Sequence, residues 1–106
     1  MNRSYTVRVK QHYKKWIAKE SVLTDVPIYS IFENTLYPFY KKSFTEPSIQ
    51  RISFTGLETS SLILSAEFKK ILGLEAVEKN TSITSIVDTV FKLYLKNHNN
   101  EEMRQD

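Results

Sequence analysis

Cysteine is absent from this chain, so neither a disulfide framework nor a thiolate metal site can form. Only two glycines are present, Gly56 and Gly73, too few for a Gly-rich loop that cradles phosphates. With three prolines besides, the sequence leaves little room for long loops. No run approaches the 18 or so consecutive apolar residues of a membrane span, and the first residues lack the apolar core of a signal peptide. A soluble, cytoplasmic protein without membrane association is therefore expected. His12 and His98 are the only histidines and have no companion ligand spacing, so no metal is expected. With neither a Cys nucleophile nor paired carboxylates in a recognisable setting, no enzymatic activity and no cofactor are expected.

What is present begins with charge. The net charge is +3, but it is unevenly spread. Residues 1–53 hold nine Lys or Arg against four Asp or Glu, and residues 54–106 hold six against eight. The first 19 residues contain six basic side chains and no acid. A one-sided basic block suits a polyanion partner; a solvated face is the competing reading.

The second feature is an internal repeat. At a shift of 55 residues, "YTVRVKQHYKKWIAKESVLTDVPIYSIFENTLYPFY" (5–40) lies without a gap on "SSLILSAEFKKILGLEAVEKNTSITSIVDTVFKLYL" (60–95). Seven of the 36 pairs are identical, among them Lys14/Lys69, Glu20/Glu75 and Ile31/Ile86. The apolar pattern is preserved more widely, through Val7/Leu62, Val9/Leu64, Tyr13/Phe68 and Phe32/Val87. It also changes period at the same place in both copies, from two to about 3.6.

Each copy therefore reads as strand, helix, helix. In the second, Leu62 and Leu64 give the inner face of a strand, and Phe68, Ile71, Leu72 and Ala76 follow at helical spacing. Asn80 suits the left-handed residue that ends many helices, and Thr81 or Ser82 can cap the next. Ile83, Ile86, Val87, Val90, Phe91, Tyr94 and Leu95 then make one apolar stripe. In the first copy, Val7 and Val9 face inward, and Tyr13, Trp16, Ile17 and Leu23 form the helix face. Asp25 stands where Asn80 does, and Pro27 suits the first turn of a helix carrying Ile28, Ile31, Phe32, Leu36 and Phe39. Pro38 should end or kink that helix near Leu36. The chain thus divides into a first copy (1–40), a linker (41–59), a second copy (60–96) and a polar tail (97–106) expected to be disordered. Within the linker, "RISFT" alternates enough for a short strand or for none.

One strand and two helices cannot bury their apolar faces or pair their strand backbone alone. Pairing the two copies remedies both, with two strands making an antiparallel ribbon over a shared helical core. The expected fold class is mainly α with a short β-ribbon, the tandem repeats forming an intramolecular pseudo-dimer. In this plan the best-matching stretches, "LILSAEFKKILGLEAVEKNTSITSIVDTVFKLYL" and "TVRVKQHYKKWIAKESVLTDVPIYSIFENTL", resemble the ribbon-helix-helix family of the Arc and MetJ repressors. Two units in one chain resemble TraY-type relaxosome accessory proteins of conjugative plasmids in architecture.

The resemblance implies sequence-specific binding of double-stranded DNA, with the ribbon in the major groove. By position the base-reading residues would be Thr6, Arg8 and Lys10 from the first copy and Ser61, Ile63 and Ser65 from the second. Phosphates would be held by backbone amides near Ile28 and Ser82, with Arg3 adding a contact from the start of the chain. Thr6, Arg8 and Lys10 would otherwise be a solvated strand face. The implied role is a transcriptional regulator or a plasmid or phage accessory factor, self-associating where sites repeat. The alternative is a protein-interaction module, such as an antitoxin or assembly factor, with weak DNA binding.

Overall fold

The computed structural model describes residues 4–44, 49 and 51–98. Strand β1 (Ser4–Lys10) leads directly into helix α1 (Gln11–Thr24). Helix α2 (Ile28–Ile31) widens into a π-helical turn (Phe32–Leu36) and continues as α3 (Tyr37–Ser43). After the linker come strand β2 (Thr59–Ser65), helix α4 (Ala66–Glu78) and helix α5 (Ile83–Asn97). The chain is mainly helical, with one two-stranded antiparallel sheet.

Register fixes which side chains face the helices. Val7 stands opposite Leu62, Tyr5 opposite Leu64 and Val9 opposite Ser60. Because strand side chains alternate, Val7, Val9, Leu62 and Leu64 are buried on one face. Beneath them the core joins Ile17, Phe32, Leu36, Leu72, Ile86, Val87, Val90 and Phe91, all fully buried. Tyr13 stacks on Phe91 at 5.0 Å between ring centroids, and Phe32 meets Phe68 edge-on at 6.1 Å.

Local chemistry explains the turns. Asp25 and Asn80 both adopt left-handed backbone, φ 59° and 54°, which short polar side chains tolerate. At the end of α4, the Thr81 N–H donates to the Ala76 carbonyl at 2.9 Å and the Asn80 N–H to the Val77 carbonyl at 3.2 Å. That is the paired closure of a Schellman cap. Ser82 then caps α5 by accepting from the Ser85 N–H at 3.1 Å.

Some readings are settled and others corrected. Of the end or kink expected near Leu36, the helix carrying Pro38 does not end there but is disturbed by the π-turn. The π-turn lets the Tyr37 N–H reach back to the Phe32 carbonyl, and the widened backbone accommodates a ring that an α-turn would set against the Asn34 carbonyl. The helix therefore reaches Ser43, three residues into the expected linker. Residues 51–55 form no strand; they lead to a tight turn in which Leu57 N–H donates to Phe54 carbonyl and Gly56 supplies φ 78°. Leu23 and Ile71, expected in the core, are 70% and 45% exposed. Leu23 lies in the last turn of α1, and Ile71 joins Leu74 and Val77 on the outer face of α4. Of the expected tail, Asn97 still belongs to α5, and residues beyond His98 lie outside the described residues.

Candidate nucleic-acid interface

The face of the ribbon turned away from the helices is built by strand alternation. Thr6 pairs with Ile63 and Arg8 with Ser61, and all four side chains are exposed. At its centre lie a guanidinium, two hydroxyls and a branched apolar group within two rungs of one ladder. Such a set offers donors, acceptors and a methyl contact, the three kinds of group that base edges in a major groove distinguish.

Arg8 has a support that sequence reasoning missed. Its guanidinium lies 6.0 Å from the centroid of the half-buried Phe54 ring, contributed by the linker. The linker is tied down at two further points. Ile52 N–H donates to Ser85 Oγ at 3.1 Å, at the start of α5. Glu58 carbonyl accepts from Gln11 N–H at 3.0 Å and so closes the start of α1, where Lys10 offers no side-chain cap. The alternation in "RISFT", which allowed a short strand or none, reflects one-sided packing, and period alone does not distinguish the two.

The ends of the ribbon differ from its centre. Lys10 has the outward parity but is half-buried. Its ammonium lies 3.7 Å from the Asp88 carboxylate on α5 and 5.6 Å from the centroid of the Tyr13 ring. Burial pushes the Asp88 carboxyl above its ordinary 3.8, against the opposing pull of Lys10, Lys92 and His12. Ser65 is also committed. Its N–H donates to Glu33 Oε2 at 2.7 Å, its hydroxyl donates to Glu33 Oε1 at 3.0 Å, and its Oγ accepts from Phe68 N–H to cap α4. Neither acid was legible as a partner of the ribbon, because each comes from a helix distant in sequence.

The two expected phosphate positions are unlike. Ile28 opens α2 after Pro27, with no acid in the first turn, and is half-buried. Ser82 opens α5, where its hydroxyl is used on Ser85 and the linker crosses close by. Arg3 lies outside the described residues. The Lys14 ammonium donates to the Ser61 carbonyl at 2.6 Å, on the free edge of β2.

A second buried polar cluster lies away from the ribbon. Glu75, 4% exposed, accepts from the Tyr37 hydroxyl at Oε1 and from the Tyr40 hydroxyl at Oε2, the latter at 2.6 Å. Lys41 sits 3.7 Å from Oε1. Burial first, then the hydrogen bond to Glu75, pushes both phenols well above their ordinary value. This pins α3 to α4 and buries both tyrosines. No helix among the described residues is long and apolar enough to cross a membrane. No family model, curated protein or solved structure matches the chain.

Proposed function

We propose that this chain is a sequence-specific double-stranded DNA-binding protein of the ribbon-helix-helix kind, acting as a transcriptional regulator or a plasmid or phage accessory factor. Two tandem copies of one strand-helix-helix unit close on each other as an intramolecular pseudo-dimer, and their shared ribbon enters the major groove. The observation that carries the reading is the register. Val7 faces Leu62, its own counterpart 55 residues on, which is the register that a two-fold axis through that pair would require. The rung Thr6–Ile63 then maps onto Ser61–Arg8.

Contacts away from the ribbon support the same symmetry. Asp25 and Asn80, Ile28 and Ile83, and the end contacts Lys10–Asp88 and Ser65–Glu33 are all related by the same 55 residues. On this reading Arg8 donates two hydrogen bonds to a guanine, Thr6 and Ser61 reach either base edge, and Ile63 meets a thymine methyl. Lys10 and Ser65 stand at the ends of the reading face, and backbone amides near Ile28 and Ser82 take phosphates. The two half-sites are unequal, because among the described residues the only exposed charge on this face, Arg8, belongs to the first strand.

The test is binding to a selected duplex by fluorescence anisotropy across salt concentrations. Affinity falls with a slope of about −0.9 per neutralised phosphate, and Arg8→Ala costs on the order of 1–3 kcal/mol while relaxing preference at one position. Arg8→Ala with unchanged site preference overturns the ribbon reading. The exposed apolar stripe Ile71, Leu74 and Val77 on α4 favours the second reading, a protein-interaction module. A stoichiometric partner that is lost with Leu74→Lys, together with weak and nonspecific DNA binding, distinguishes it.

A further inference from the structure

We propose that Asp88 and Glu33 are end clamps that draw Lys10 and Ser65 away from the groove, confining base reading to Thr6, Arg8, Ser61 and Ile63. The inference rests on the DNA-binding reading above and narrows it.

Strand parity alone gives the outward face three residues from each strand. At both ends of the ribbon, however, the last of the three is held by a carboxylate from the second helix of the opposite half. Asp88 reaches across from α5 to the ammonium of Lys10, and Glu33 reaches from the π-turn to the N–H and hydroxyl of Ser65. Both held residues directly precede a helix, Lys10 before α1 and Ser65 before α4. The clamp at Ser65 takes the hydroxyl's one proton, while its Oγ caps α4. At Lys10 the ammonium lies between the Tyr13 ring and a buried carboxylate oxygen, Asp88 Oδ1, which is 3.7 Å away and has no hydrogen bond of its own.

The consequence is electrostatic. A lysine on the outward parity of a DNA-reading ribbon would normally add one phosphate or base contact. Held by Asp88, it adds none, and the exposed charge of the reading face falls to Arg8. Asp88 is thus a positioning residue that limits affinity and keeps the basic half of the ribbon from binding DNA through charge alone. A Lys10 released into the groove edge would contact phosphate, which carries no sequence information.

The experiment compares the full-length wild type with Asp88→Asn on the selected duplex and on a scrambled one. Asp88→Asn should bind both duplexes more tightly, steepen the slope of log K against log salt by about 0.9, and narrow the ratio between the two. The double variant Lys10→Ala/Asp88→Asn, with the wild-type net charge, should lose that gain. Glu78→Gln, which adds the same unit of charge on the far end of α4, should leave the slope unchanged. An Asp88→Asn slope equal to the wild type's, or a gain that persists in the double variant, overturns the clamp.

A second measurement needs no DNA. Limiting acetic anhydride followed by peptide mass spectrometry should acetylate Lys10 more slowly than exposed Lys15 in the wild type, and at a comparable rate in Asp88→Asn. Equal rates in the wild type refute the restraint. If the wild type binds no duplex at any salt, the DNA reading falls and the proposed effect on the groove falls with it. Protection of Lys10 that Asp88→Asn removes would then show that the restraint exists without that role.

Discussion

Replacing Tyr40 with Phe should destabilise the fold by about 2 kcal/mol, because the hydroxyl it removes is one of two phenols serving a buried carboxylate. Tyr40 donates to Glu75 Oε2 at 2.6 Å, and Glu75 is 4% exposed, so water cannot readily take the vacated position. A hydrogen bond to a charged group contributes about 1.5–3 kcal/mol, and an unserved buried acceptor bears the full loss. Tyr37→Phe should cost less, because Lys41 remains 3.7 Å from Oε1. The triple variant Glu75→Leu/Tyr37→Phe/Tyr40→Phe should recover much of the loss, since an apolar cluster of similar volume removes the charge and its donors together. Urea unfolding with an unchanged m-value reads the difference, and a loss of about 2 kcal/mol should lower Tm by roughly 10 °C in a domain of this size. A Tyr40→Phe variant within about 0.5 kcal/mol of wild type, or a triple variant less stable than either single, refutes the reasoning.

Asp88 gives a prediction with a definite sign. Its carboxyl is held above the ordinary 3.8 in the folded chain, so the folded state binds this proton more tightly than the unfolded state. Stability from this group is therefore present at acid pH and lost as pH rises through the raised folded value. Asp88→Asn should match or exceed wild-type stability at about pH 7, and the difference should close as the pH approaches 3.8 in urea titrations at each pH. Leu62→Ala, at the centre of the ribbon and fully buried, should cost about 2–5 kcal/mol by the same assay. Ser82→Ala should cost about 0.5–2 kcal/mol, through the lost cap on Ser85 N–H at 3.1 Å. Leu23→Lys, on an exposed position, should change stability by less than about 0.5 kcal/mol.

The parts of the fold legible in the sequence were those set by local chemistry and by repetition. Alternation at Val7 and Val9 and at Leu62 and Leu64 marked both strands, and the i, i+3, i+4 stripe from Ile83 to Leu95 marked α5. Asp25, Asn80 and Ser82 marked turns whose backbone and caps follow from side-chain type. What escaped were contacts between residues far apart in the chain. Glu75 occupies a helical position that reads as solvent-facing in its copy, and only the tyrosines of α3 make its burial tolerable. Lys10 and Ser65 carry outward parity, but parity does not register the carboxylates waiting at the ribbon ends. Pro38 correctly signalled a disturbed helix. The outcome was a π-turn because Phe32, Leu36, Tyr37 and Tyr40 bury enough surface to keep the helix together across it.

The central claim is that the exposed ribbon reads DNA sequence, and selection from random duplexes with purified protein at near-physiological salt tests it most directly. The account predicts an enriched motif whose strongest position is weakened when the selection is repeated with Arg8→Ala. A bound pool without enrichment, with binding that vanishes at modest salt, would contradict it and leave the ribbon as a basic surface without a reading function.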